Sequence, residues 1–134
     1  MSRLTLGEEC FESFCSERGI IARRIPVSNT RTPDYELLFG ENRVLIEVKD
    51  IDLSPDEKRA EDALMRGESV VLSETPGRRV RTRVSDAAAQ LKGHAGGLLP
   101  AVLLLFGTGQ GARWLDPYDM LVAMYGLQKI SFAV

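Results

Sequence analysis

Two apolar runs, Asp34-Tyr35-Glu36-Leu37-Leu38-Phe39 and Arg43-Val44-Leu45-Ile46-Glu47-Val48-Lys49, flank the short link Gly40-Glu41-Asn42. No other stretch constrains the fold as much. A short Gly-containing link between such runs favours an antiparallel hairpin. Alternation puts Val44, Ile46 and Val48 on one face of the second strand, and Leu45, Glu47 and Lys49 on the other. Strand interiors usually avoid Asp, Glu and Lys, so these charges call for a reason. Antiparallel neighbours set the first residue of one strand against the last of the other. Asp34, Glu47 and Lys49 are therefore expected to converge at one end of the hairpin.

Around the hairpin the chain alternates helices and strands. Gly7 to about Glu17 reads as a helix with Cys10, Phe11, Phe14 and Cys15 on one face, ended by Gly19. Gly19 to Val27 reads as a first strand and Ser28 to Pro33 as a polar turn. Ser54-Pro55-Asp56-Glu57 is a capping box with Pro at the first helical position, and predicts a short polar helix that stops at Gly67. Arg78 to Lys92 reads as a longer helix with Val80, Val84, Ala87, Ala88 and Leu91 as its apolar stripe. Ala101 to Phe106 is a predicted buried strand, Gly107 to Gly111 a loop, Pro117 to Tyr125 a helix ending at Gly126, and Lys129 to Val134 a candidate last strand. The expected fold class is α/β, a central mixed sheet flanked by helices, with residues 53–77 inserted after the third strand.

A chain of 134 residues fits one domain with a real core. No apolar run approaches the ~20 residues that span a bilayer, so no membrane partner is expected. The N-terminus carries no long apolar segment of the secretory type. Cys10 and Cys15 are the only cysteines, share one predicted helix and form no metal-type pair. They read as small core residues of a cytoplasmic protein. His94 is the single histidine and cannot supply a multi-His metal site; it is assigned to a loop. A net charge of −2 argues against a purely electrostatic nucleic-acid binder, although Arg78, Arg79, Arg81 and Arg83 form a cluster. Gly107-Thr108-Gly109-Gln110-Gly111 lacks the later Gly and the following helix of a dinucleotide fingerprint. The chain ends soon after Gly126 near a candidate strand, which also suits a piece of a longer protein.

Two carboxylates and an ammonium at one place suit a hard divalent cation and a phosphodiester, because Mg²⁺ takes oxygen ligands and keeps several waters. Pro33-Asp34, twelve intervening residues, then Glu47-Val48-Lys49 resembles the PD-(D/E)xK nuclease motif. The order helix, three strands, helix, strand resembles that superfamily's restriction-endonuclease-like (Holliday-junction-resolvase-like) αβββαβ core, over roughly Leu4 to Phe106. The resemblance implies that Asp34 and Glu47 hold Mg²⁺ or Mn²⁺ with the Val48 carbonyl, and that Lys49 orients or activates water. It further implies an acid from the first helix. Glu8 is favoured there over Glu9 and Glu12, since it lies nearest the apolar face.

Several members of the superfamily also place a Gln on the helix after the third strand, here Gln90. Arg79, Arg83, Asp86 and Gln90 recur at helical spacing as one stripe, and the arginines could meet phosphates bidentately. The implied function is a metal-dependent endonuclease acting on DNA, with RNA open and a homodimer suited to cutting two strands. The alternative is a catalytically inactive module that binds nucleic acid or a protein partner through its arginines, with salt dependence and no metal. Residues 50–77 exceed the superfamily's minimal connection. Asp50 and Asp52 there read as turn residues or as added acidity for the site.

Overall fold

The computed structural model describes residues 3–71, 77–108, 115–126 and 131–133. The first helix, α1 (Leu6–Glu17), opens on Thr5, whose side chain accepts the Glu8 amide while the Glu8 side chain reaches back to the Thr5 amide. That reciprocal box satisfies two of the unpaired amides of a helix start. At the other end the Gly19 amide donates to the Ser16 carbonyl and the Ile20 amide to that of Cys15. Gly19 takes φ 66° to do so, a conformation that favours glycine. Gly19 and Ile20 thus belong to the helix end, and β1 (Ile21–Arg24) starts later than the sequence suggests. It also stops earlier, since Pro26 has no amide to give a ladder.

The hairpin strands are β2 (Tyr35–Phe39) and β3 (Asn42–Ile51), paired antiparallel with Tyr35 opposite Ile46 and Phe39 opposite Asn42. β1 pairs antiparallel with β2, and β4 (Ala101–Gly107) runs parallel to β3 from Leu45–Ala101 to Ile51–Gly107. The long parallel ladder explains why β3 continues two residues past Lys49. The result is a mixed four-stranded sheet in the order β1-β2-β3-β4. Among the described residues β4 has one neighbour, β3, and its Ala101 and Val102 are exposed and the rest half-buried, where the sequence suggested a buried strand.

One face of the sheet packs on α1 through Phe11, Cys15, Tyr35, Leu37, Ile46 and Val48, with the Phe11 and Tyr35 rings edge-on at 4.9 Å. Cys10 and Phe14 do not join this core. Both are exposed, because the buried side of α1 runs through Gly7, Glu8, Phe11 and Cys15; Phe14 instead lies under the Arg18 guanidinium. The second face, bearing Leu45, Glu47 and Ile51, is left to α3 (Arg78–Gly93), which packs against β3 and β4 and buries Val80 and Ala87. The chain is thus α/β, with helices on both sides of a mixed sheet.

The capping box on Ser54 forms as expected and starts α2 (Pro55–Met65) within the 53–77 insertion. Glu57 in that helix ion-pairs with Arg79 of α3. α4 (Pro117–Tyr125) packs on α3, and its Asp119 accepts the Gly77 amide at 2.9 Å. His94 begins a short 3-10 turn, His94–Gly97. Gly107 closes β4, while Gly109 to Gly111 lie outside the described residues. Residues 131–133 form no strand, and Lys129, Ile130 and Val134 also lie outside the described residues.

Asp50 carries structure rather than a turn. Its carboxylate accepts the Gly7 amide at 3.1 Å and the Thr5 hydroxyl at 3.3 Å, a negative charge against the start of α1. A Cβ on Gly7 would meet that carboxylate at 2.2 Å and the Val48 side chain at 3.0 Å. Gly7→Ala is expected to cost about 2 kcal/mol through overpacking, read as a lower denaturation midpoint at unchanged m-value.

Candidate active site

Asp34 is fixed from three sides. Its amide donates to the Ile46 carbonyl at 3.1 Å, its carbonyl accepts the Ile25 amide at 3.0 Å, and its Oδ2 accepts the Val48 amide at 2.8 Å. The main chain therefore locks it between β1 and β3, and the side chain is drawn toward the Glu47-Val48-Lys49 segment. Continuing the β2–β3 register by one residue sets Asp34 opposite Glu47, as the hairpin arithmetic requires.

Lys49 Nζ lies 3.0 Å from Glu47 Oε1 on the same face of β3. The Glu47 side chain is almost fully buried, whereas that of Lys49 is 24% exposed, so the pair runs from the interior toward solvent. Glu47 Oε2 is buried and has no hydrogen-bond partner among the described residues. Glu36, a second buried glutamate on the same face, shows how the chain treats a structural carboxylate. It takes a bidentate pair from Arg43 at 2.6 and 2.9 Å, which holds its carboxyl below the ordinary range. Glu47 has no such fork.

The electrostatics agree with the geometry. Burial pushes the Asp34 carboxyl above its ordinary value against the Val48 amide, which favours the charge, and the negative charge of Glu8 adds to the rise. Burial likewise raises Glu47, with the Lys49 hydrogen bond opposing and the charge of Asp34 adding. Desolvation leads in both, and at Glu47 the nearby Asp34 carboxylate adds to it. Perturbed acids of this kind concentrate where chemistry is done, although structural networks also produce them.

Glu8 is buried as its place on the helix suggested. Its oxygens, however, serve the Thr5 amide at 2.7 Å and Arg24 at 3.5 Å, and it reaches Asp34 only through space. Glu12 accepts the Tyr35 hydroxyl at 2.8 Å, and Glu9 is exposed. Among the described residues no three His, Cys, Asp or Glu side chains stand gathered as a ready metal cage. The donors at hand are Asp34, Glu47 and the main chain between them.

Gln90 does approach this end of the sheet, donating from Nε2 to the Thr32 carbonyl at 3.4 Å, two residues before Asp34. Arg79, near the start of the same helix, is engaged. It pairs with Glu57, donates to the Asp52 carbonyl at 3.3 Å and is largely buried. Burial works against the Glu57 charge, but hydrogen bonds from Ser54 and Arg79 hold its carboxyl low. Asp52 pairs with Lys58 at 3.3 Å, away from the site, and Arg83 is exposed.

One residue near the site escaped the sequence reading. Arg24 stands opposite Tyr35 at the end of β1, contacts Glu8 and Glu12, and lowers the Asp34 carboxyl through its charge. The pair Arg23-Arg24 before Pro26 was the available signal, but only the β1–β2 register brings it to Asp34.

Compared with known proteins, the chain matches no family model, no curated protein and no solved structure. No helix among the described residues is long and apolar enough to cross a membrane.

Proposed function

We propose that this chain is a divalent-metal-dependent nuclease domain that hydrolyses phosphodiester bonds, with DNA as its substrate. The observation that carries the reading is the buried Glu47 Oε2, without a hydrogen-bond partner among the described residues, beside Asp34 and Lys49. A buried carboxylate oxygen left without a donor costs stability, and a cation is the partner that suits it. The element order also fits the αβββαβ core of the PD-(D/E)xK nucleases, with α2 as an insertion after the third strand.

The residues fit a hard cation, since Mg²⁺ and Mn²⁺ take carboxylate and carbonyl oxygens. Asp34, Glu47 and the Val48 carbonyl would hold it. When bound, it supplies Lewis-acid stabilisation of charge on the phosphate and lowers the pKa of a coordinated water. Lys49 places an ammonium beside Glu47, where it can orient a water for in-line attack and offset charge as it develops on the phosphate. Glu8 and Arg24 frame the Asp34 side, and Gln90 steadies the loop that leads into Asp34. The fixed main chain of Asp34 and β3 keeps the set in position before substrate arrives.

Cleavage of plasmid and oligonucleotide DNA with Mg²⁺ or Mn²⁺ tests the reading. Activity is expected to vanish with EDTA, and to fall at least ~100-fold in Asp34→Asn at unchanged fold, the usual scale for a lost catalytic group. Cleavage that survives both Asp34→Asn and chelation would remove the assignment.

A further inference from the structure

A cleft of about 350 Å³ opens directly beside Asp34, between the end of β1 and the loop that leads into β2. Its shape follows from the chain. Ile25 and Asp34 are tied by a main-chain hydrogen bond, so the intervening residues must bulge outward as a loop. Ser28 stiffens that loop. Its hydroxyl lies 2.9 Å from the Thr30 hydroxyl and 3.2 Å from the Thr30 carbonyl, and it accepts the Thr30 amide at 3.3 Å. Gln90 supports the far wall through the Thr32 carbonyl.

The lining has a consistent chemistry. Arg24 and Arg31 supply guanidinium groups, Ser28 and Thr30 hydroxyls, and the only carboxylate is Asp34 itself. Arg24 is partly committed to Glu8 and Glu12. Arg31 is exposed, and none of the ion pairs among the described residues involves it. Cations and hydroxyls at the edge of a cavity suit a phosphate ester. The volume is that of a small-molecule site, too small to admit a double helix but large enough for one nucleotide. No aromatic side chain lines the cleft, so stacking of the kind that holds bases in many single-strand binders is not the source of affinity.

We infer that this cleft is a subsite for one nucleotide of a single strand, gripped by its phosphate through Arg31 with help from Arg24, next to the bond cut at Asp34. The link to a cut bond rests on the nuclease reading above; nucleotide binding in the cleft does not. The inference narrows the substrate to DNA that presents an unpaired strand, since a nucleotide held in a helix cannot enter.

The test uses the whole chain without metal and thymidine 5′-monophosphate as probe, followed by NMR shift perturbation. Shifts are expected to cluster at residues 24–34. Arg31→Ala should weaken binding at least tenfold, while Arg59→Ala, on α2 and outside the cleft, should leave it unchanged. In cleavage assays Arg31→Ala should raise KM for single-stranded DNA about tenfold at unchanged kcat. Absence of nucleotide binding by the wild type, equal binding by Arg31→Ala, or inorganic phosphate binding as tightly as the nucleotide would each overturn the subsite. Nucleotide binding that depends on Arg31, in a protein that cuts no DNA under any metal, would sustain the subsite and sink the nuclease reading instead.

Discussion

Lys49→Met is expected to reduce metal-dependent cleavage by about 10²- to 10³-fold, while the protein stays folded and still binds the cation. Methionine keeps much of the length and apolar stem of lysine and removes only the ammonium. The Lys49 side chain is about three-quarters buried, and the methionine side chain fills most of the space that the lysine stem occupied. What disappears is the one cation among the three grouped side chains. The stabilising charge 3.0 Å from Glu47 goes, and with it the donor that can orient an attacking water. The separating measurement is metal binding, for example by Mn²⁺ relaxation or calorimetry, made beside the cleavage assay. Retained metal with lost cleavage assigns Lys49 to the chemical step. Loss of both at once would place it among the groups that merely hold the site together, and cleavage at the wild-type rate would remove it from the mechanism.

Glu47→Gln is expected to move activity and stability in opposite directions. The amide cannot serve as an anionic ligand, so cleavage should fall at least ~100-fold and the thermal shift caused by Mg²⁺ should largely disappear. In the metal-free protein the same change should stabilise, because it removes a buried charge that repels Asp34 and has one oxygen unpaired. A gain of about 1 kcal/mol, or ~3–5 °C in Tm for a domain of this size, is the scale to expect.

The pH dependence has a definite sign. The folded state raises the Glu47 carboxyl above its value in the unfolded chain, so folding favours the protonated acid. Its contribution to stability is complete in acid, below the ordinary carboxylate pKa of about 4, and is lost as pH rises through the raised folded value. The Tm advantage of Glu47→Gln should therefore be small in acid and grow with pH until Glu47 is ionised. Glu36 and Glu57 run the other way, being held low by Arg43 and by Ser54 with Arg79, but both are common to the two proteins and cancel in the difference. A metal-free Glu47→Gln that is less stable than wild type at neutral pH would show that the Lys49–Glu47 pair stabilises the fold, and would remove the main physical reason for placing a cation there.

The centre of the site was legible because its logic is local. A period of two along β3 fixes which side Glu47 and Lys49 take, and a short hairpin fixes what Asp34 faces. The burial of Glu8 followed from helical spacing in the same way. Residues whose roles depend on distant partners were not legible. Arg24 reaches Asp34 only through the pairing of β1 with β2, and Asp50 caps a helix more than forty residues earlier in the chain. Arg79 looked free on its helix stripe, because nothing in periodicity reveals that Glu57 of the inserted helix would claim it. Phe14 and Cys10 were assigned to a core face that in fact turns toward Gly7 and Glu8. β4 reads as a buried strand by composition alone, and its place at the edge of the strands described is a property of the topology.

The three-way anchoring of Asp34 has a consequence for how such a site could arise or be moved. One of its carboxylate oxygens completes a rung between β2 and β3, so the residue belongs to the scaffold before it belongs to any chemistry. The site is not portable as three side chains. Transplanting Asp, Glu and Lys to another hairpin would carry over their identities but not the amide that aims the aspartate or the neighbouring strand that holds its carbonyl. What would have to be grafted is the register itself, from the Ile25 tether through the Val48 amide.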